Sequence, residues 1–330
     1  MKDAPCFGLD VGTSRVVLAY QAGGGFSFRS QLNAFVQIPY SKITEGVLKK
    51  EQVPYTVAQG DLVIHGNESE RFADLLGQEA RRPMRSGLLN PAEVEGEKQL
   101  GLIFRALLGE EDGNGRKIYF TVPAAPLGAE ENLTYHEATI RNLLSGMGYQ
   151  VEAINEGLAV VYGELESSNF TGIGVSCGGG LCNVCLAYLS VPVLSFSVPK
   201  AGDFIDSSAA AAMGELATRI RIAKETDFHF NGNYSDKAHQ VLSVFYDDMI
   251  TTLVTAMKEA FSNTKKLPRL GRPVPLVLSG GSVMPRGFRE RFEQVLRNSN
   301  FPLALSEVRV ASEPLHSTAK GALVAALSEA

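Results

Sequence analysis

Three short turns concentrate glycine beside acidic or hydroxyl residues. In "GLDVGTSR", Asp10 sits near the end of an apolar run and Gly12, Thr13 and Ser14 follow it. Small residues in a tight turn let backbone N–H groups face an anion such as phosphate. The adjacent carboxylate can hold Mg²⁺ through water, because hard cations take oxygen ligands. Taken alone, this turn is equally the tip of an ordinary hairpin. In "SCGGGLC", Gly178, Gly179 and Gly180 interrupt a strand-like run. Glycine weakens a strand, so close approach of a ligand is the better reason for three in succession. In "VLSGGSVMP", Gly280, Gly281 and Ser282 leave an apolar run and lead towards a helix, where backbone can press against a flat ring or a phosphate.

Cys177, Cys182 and Cys185 surround the second turn and raise a metal or redox alternative. A zinc ribbon needs a second cysteine pair, and the chain has four cysteines in all. The five histidines, His65, His136, His229, His239 and His316, are scattered. Cys182 and Cys185 stand an odd number of positions apart, which puts them on opposite faces of a strand. Small buried hydrophobes are the better reading of these thiols.

The elements that must position these turns follow a repeating α/β pattern. "CFGLDVGTSRVVLAYQ" reads as strand, turn, strand; residues 22 to 80 are mixed, with short strands at "FVQIPY" and "DLVIHG" and a polar helix at "ESERFADLLGQEA". Leu100, Ile103, Phe104 and Leu107 have the spacing of an amphipathic helix. "EDGNGR" reads as a loop, "KIYFTVPA" as a buried strand, "EENLTYHEATIRNLLSGMG" as a helix, "YQVEAI" as a strand and "NEGLAVVYGELES" as a helix. Beyond the cysteine-flanked turn come a third strand and two long helical stretches, "DFIDSSAAAAMGELATRIRIAKE" and "DKAHQVLSVFYDDMITTLVTAMKEAFSN". A buried strand "PVPLVLSGG" and two further helices complete the chain, and "SNTKKLPRLGRP" is its most linker-like stretch. Strand, glycine turn, strand thus occurs at 6 to 20 and again at 171 to 190, which suggests two similar α/β halves with a cleft between them.

Composition agrees with a globular protein of this size: 330 residues, 45% hydrophobic and 20% charged. A net charge of -5 and the absence of Trp argue against a nucleic-acid-binding face. No apolar run reaches the ~18 residues of a membrane span, and "MKDAPCFGLDVG" holds neither a signal peptide nor an amphipathic anchor. A soluble, cytoplasmic protein with free thiols and no direct membrane anchor is expected.

In this order, the motifs resemble those of the actin, heat-shock chaperone and sugar-kinase ATPase superfamily, and most of all the bacterial actins of the MreB and MamK type. "FGLDVGTSRVVLAY" resembles the first phosphate loop, "RPMRSGLL" a bacterial-actin segment and "YFTVPAAP" the first connecting segment. "INEGLAVVYG" resembles the helix start carrying the water-positioning residue, which falls on Glu156. "SCGGGLC" resembles the second phosphate loop, "KAGDFID" the corner after it with Gly202 and Asp203, and "RIAKE" the adenosine-side helix with Lys224 and Glu225. "VLSGGSVMP" resembles the adenosine loop and "SEPLHSTAKGALVAAL" the closing segment.

The resemblance implies an actin-like ATPase fold, with two RNase-H-like domains around a cleft for ATP and Mg²⁺. The first half would span 1–152 plus 316–330, with an inserted small subdomain at about 22–86; the second would span 153–315, with a reduced one at about 205–262. It implies that Asp10 orients the metal's water shell, Glu156 aligns the attacking water, Gly12, Thr13 and Ser14 hold the outer phosphates, and Gly280, Gly281 and Ser282 face adenosine. It also implies self-association into filaments and slow hydrolysis. Departures stand beside the matches: Ser176 replaces the usual Asp of the second phosphate loop, Leu181 its hydroxyl residue, and Ser86 the Asp of the bacterial-actin segment. These changes leave open a non-polymerising nucleotide-binding scaffold that docks a partner protein. A small-molecule kinase fits less well, since no Asp-bearing substrate loop stands out. Glu156 also suits a helix dipole, Lys224 and Glu225 a solvated helix face, and Asp203 a helix cap.

Overall fold

The computed structural model describes residues 5–109, 113–127, 133–230, 232–234, 236–264 and 271–329. Parts of the loop "EDGNGR", of the start of "EENLTYHEATIRNLLSGMG", of the reduced small subdomain expected at about 205–262 (residues 231 and 235) and of the linker-like "SNTKKLPRLGRP" lie outside these residues.

Two β-branched apolar runs broken by Gly12-Thr13-Ser14 pair as a hairpin, β1 (Cys6–Val11) and β2 (Arg15–Ala22), and β3 (Gly25–Leu32) extends it. The chain then builds a small subdomain from β4 (Phe35–Pro39), α1 (Lys42–Lys50), β5 (Tyr55–Ala58), β6 (Asp61–His65) and α2 (Glu68–Leu75), closed over Val36, Leu48, Leu62 and Ile64. Neither α1 nor β5 is evident in the sequence; Ser41 caps α1, accepting from the Thr44 N–H at 3.5 Å. β7 (Met84–Arg85) and β8 (Leu88–Leu89) flank Ser86 and Gly87, both at positive φ (51° and 78°). Next come α3 (Gly96–Leu108), β9 (Lys117–Val122), α4 (Thr134–Ser145), β10 (Gln150–Asn155) and α5 (Glu156–Glu164).

The second half repeats the plan with β11 (Gly172–Cys177), β12 (Cys182–Tyr188), β13 (Val191–Val198), α6 (Gly202–Met213), α7 (Ala217–Thr226), α8 (Lys237–Asn263), β14 (Val274–Ser279), α9 (Phe288–Asn298), β15 (Leu305–Val310) and α10 (Ser317–Ser328). The two main sheets run β3-β2-β1-β9-β10 and β13-β12-β11-β14-β15, each an antiparallel meander continued by two parallel strands. Two details depart from the sequence reading. The stretch expected as one helix after Gly202 breaks into α6 and α7 at Gly214, whose φ of +71° ends the first helix in the left-handed region. β15 was not anticipated, because its "LSEVRV" is only partly buried at a sheet edge and lacks an apolar run.

Helices α5 and α10 fill the space between the sheets, sharing a core of Val160, Val161, Ala322 and Leu323 with Val17 and Ala19 of one sheet and Cys185 and Val277 of the other. They cross at backbone contact: a Cβ on Gly321 would collide with the Ala159 carbonyl, and one on Gly163 would lie 2.6 Å from the Ser317 carbonyl oxygen. α3 and α4 cover the far face of the first sheet, and α6, α8 and α9 that of the second. Cys182 faces this outer core and Cys185 the shared one; all four thiols are free and buried. Among the described residues, no helix is long and apolar enough to cross a membrane.

Candidate functional site

The glycine turns of the two halves have one local geometry. The Gly12 N–H donates to the Arg15 carbonyl at 3.0 Å, and the Gly178 N–H to the Leu181 carbonyl at 3.0 Å. Sheet register makes the equivalence residue by residue: Asp10 faces Val17 across the first hairpin, and Ser176 faces Asn183 across the second. Ser176 therefore occupies in the second half the place of Asp10 in the first. Around the second turn, the N–H groups of Gly202 and Asp203 donate to the Gly178 and Gly179 carbonyls at 3.1 and 2.8 Å, and Ser282 Oγ to the Gly178 carbonyl at 2.9 Å. Gly280, at φ +94°, admits no side chain because its Cβ would strike the Cys177 carbonyl.

These turns enclose a cavity of about 480 Å³ between the halves. Every residue expected to hold nucleotide or metal lines it: Asp10, Gly12, Thr13 and Ser14 from the first hairpin; Glu156 from α5; Ser176, Gly178, Gly179 and Gly180 from the second hairpin; Gly202 and Asp203 from α6; Lys224 and Glu225 from α7; and Gly280, Gly281 and Ser282 after β14. Phe228, Met284 and Leu315 add apolar surface to its lining.

Two acids, Asp10 partly buried and Glu156 buried, face the cavity. Asp10 Oδ1 accepts from Thr121 Oγ1 at 2.8 Å, and that hydroxyl in turn accepts from the Val11 N–H at 3.1 Å. Glu156 is 8% exposed and its Oε2 accepts from Asn183 Nδ2 at 2.8 Å. Asn155 performs the capping of α5, accepting from the Gly157 and Leu158 N–H groups at 3.0 and 3.2 Å, so Glu156 is left free to point into the cavity. Burial pushes both carboxyls up; the Asp10 charge raises Glu156 further, while bonds from Asn183 and Ser176 oppose the rise. Among the described residues, no group of three His, Cys, Asp or Glu side chains forms a metal cage.

The cations are committed. Lys224 Nζ lies 2.7 Å from Asp206 Oδ1 and donates to the Gly202 carbonyl at 3.4 Å, so this side chain braces α6 against α7. Burial pushes the Asp206 carboxyl up to about 6, against the pull of Lys224. Glu225 is half-exposed and 3.6 Å from Arg15. Arg82 Nη1 donates to both Ser14 Oγ and Asp203 Oδ1 at 3.0 Å. The first half also grips α7 directly: Glu79 accepts from the Ala217 and Thr218 N–H groups at 2.7 and 3.2 Å, and Glu70 pairs with Arg221.

Asn183, Thr121, Arg82 and Glu79 escaped the sequence reading. Asn183 alone left a signal, since pairing Cys177 with Cys182 across the turn places it opposite Ser176.

A family model described as Volactin matches residues 6–326. The chain belongs to the Volactin family. No curated protein matches it significantly in sequence. Solved structures match over nearly its full length. A MamK double helical filament aligns with TM-score 0.72 at 17% identity, over 98% of each chain. MreB5 of Spiroplasma citri bound to ADP aligns with TM-score 0.66 at 16% identity, over 98% of this chain and 96% of that one. The ethanolamine utilization protein EutJ from Carboxydothermus hydrogenoformans aligns with TM-score 0.55 at 17% identity, over 97% and 89%. The Volactin-family chain therefore has an actin-like fold of the MreB/MamK type.

Proposed function

We propose that this protein binds ATP with Mg²⁺ in the cleft between its halves, hydrolyses it slowly and assembles into cytoplasmic filaments. The observation that carries the reading is the pair of equivalent closed glycine hairpins converging on a cavity that Asp10 and Glu156 both line. A volume of about 480 Å³ suits a nucleotide-sized ligand. The donor set fits a hard cation: Asp10, Glu156 and Ser176 offer only oxygen, and two carboxyls raised by burial, Glu156 further by the Asp10 charge, favour a positive charge beside them. With no protein cage, Mg²⁺ would be held through water by Asp10 and by the nucleotide's phosphates. Bound there, it would neutralise charge developing on the phosphates. Backbone groups of Gly12, Thr13 and Ser14, and of Gly178 to Gly180, would grip the outer phosphates. Glu156, fixed by Asn183, would orient the attacking water, and the backbone at Gly280, Gly281 and Ser282 would face adenosine. ADP and AMPPNP complexes of the similarly folded MreB5 support the ligand class, and the MamK filament supports self-association.

A second reading, a non-polymerising nucleotide-binding scaffold that docks a partner protein, is favoured by Ser176 and Leu181. Leu181 turns its side chain onto Gly87 of the first half rather than offering a hydroxyl to the cleft. Titration calorimetry with ATP and Mg²⁺ tests the shared core of both readings. Saturable binding that Asp10→Ala and Gly179→Val abolish is expected; unchanged affinity in both variants would overturn the site assignment.

A further inference from the structure

Arg82 lies on the segment that leads from the small subdomain into β7, and its side chain is 12% exposed. Nη1 donates to Ser14 Oγ of the first glycine turn and to Asp203 Oδ1 at the start of α6, and Nη2 lies 3.5 Å from Glu70 Oε1. Nε is buried with no acceptor among the described residues. The place is specific. A Cβ on Gly179 would stand 2.7 Å from Ser14 Oγ and 3.3 Å from Asp203 Oδ1, the two atoms that Arg82 holds. The guanidinium therefore sits just behind the point where the two glycine turns of opposite halves meet, outside the cavity lining but bonded to two residues of it, Ser14 and Asp203. Lys224 is neutralised by Asp206, and Arg221 is shared between Glu70 and Asp206. Arg82 is thus a nearly buried cation bonded to a residue of the first turn, with donor capacity to spare.

We propose that Arg82 is the terminal-phosphate sensor of the cleft. The inference rests on the nucleotide reading above. A nucleoside triphosphate draws the guanidinium from Asp203 onto its terminal phosphate, where the planar fork makes charge-assisted bonds; a diphosphate leaves Arg82 on Asp203. Because Arg82 also touches Glu70 on α2, the exchange changes the hold of the small subdomain on α7.

The test is calorimetric titration of the full chain with AMPPNP and with ADP, each with Mg²⁺, for wild type, R82Q, R82K and D203N. Loss of a charge-assisted pair predicts that R82Q lowers the ratio of AMPPNP to ADP affinity about tenfold to a hundredfold. R82K recovers part of that ratio, and D203N, which removes the competing carboxylate, raises it severalfold. A melting temperature for R82Q within a few degrees of wild type separates sensing from folding, and D203N decides the matter should R82Q not fold. If wild type binds both nucleotides and neither R82Q nor D203N moves the ratio, the sensor is overturned alone. If wild type binds neither, the nucleotide reading falls and the sensor with it.

Discussion

The three consecutive glycines of the second turn meet different surroundings, so alanine at each gives a graded and testable series. None of the three has a left-handed φ, so space alone decides the outcome. At Gly178 a Cβ meets nothing nearer than the Leu181 carbonyl oxygen at 3.6 Å, an ordinary contact. Gly178→Ala should stabilise the free protein by about 0.5 kcal/mol through the unfolded chain. At Gly179 the new methyl lies 2.7 Å from Ser14 Oγ. The Ser14 side chain must rotate and give up its bond from Arg82, at a cost of about 1–2 kcal/mol. At Gly180 it collides with the Gly87 N–H and Thr13 Oγ1 and comes within 2.8 Å of the Ser86 carbonyl carbon. Two of these three atoms are backbone from the opposite half, so no rotamer change relieves them, and overpacking costs about 2–3 kcal/mol. At roughly 1–2 °C per kcal/mol for a chain of this length, thermal unfolding of the ligand-free protein should rise slightly for Gly178→Ala and fall by about 1–3 °C for Gly179→Ala and about 3–5 °C for Gly180→Ala. Equal shifts, or a reversed order, would refute the close approach of the two turns on which the site rests.

Further predictions follow from the same geometry. Glu156, ordinarily near 4.5, is raised in the folded protein. Such an acid lends stability below its ordinary value and withdraws it as pH rises through the raised one. Glu156→Gln should therefore match wild type in unfolding free energy near pH 4 and exceed it by on the order of 1–2 kcal/mol at pH 8; a pH-independent difference contradicts the buried acid. Ser176→Asp places a third carboxyl beside Asp10 and Glu156, so it should lower the melting temperature of the free protein and raise Mg²⁺-dependent ATP hydrolysis in a phosphate-release assay. Glu79→Ala removes the carboxylate that caps α7 from across the cleft, costing about 1 kcal/mol and speeding release of a fluorescent nucleotide in stopped flow; an unchanged release rate would remove the cross-cleft grip from the account.

The turns were legible because glycine reports a backbone constraint at its own position: Gly12, Gly179, Gly180 and Gly280 stand where other backbone or side chains come close. The repeated half was legible from strand, turn, strand alone. The residues that position the site were not, because they act across distance in sequence. Asn183 meets Glu156 from 27 positions away, Thr121 meets Asp10 from 111, and Arg82 reaches Asp203 from 121. No local pattern marks such a residue as different from any other polar strand or loop residue. Likewise Lys224 reads as a free cation on a helix, and only the packing of α7 on α6 shows it bound to Asp206.

The central claim is that the cleft couples ATP to assembly. It is tested most directly by sedimentation and electron microscopy of the purified chain with Mg²⁺, with and without ATP, beside Asp10→Ala. Pelleting filaments that require ATP and are lost in the variant are expected. A wild-type protein that stays in the supernatant over a broad concentration range, with no filaments on the grid while it binds ATP, would contradict assembly and leave the nucleotide-binding scaffold.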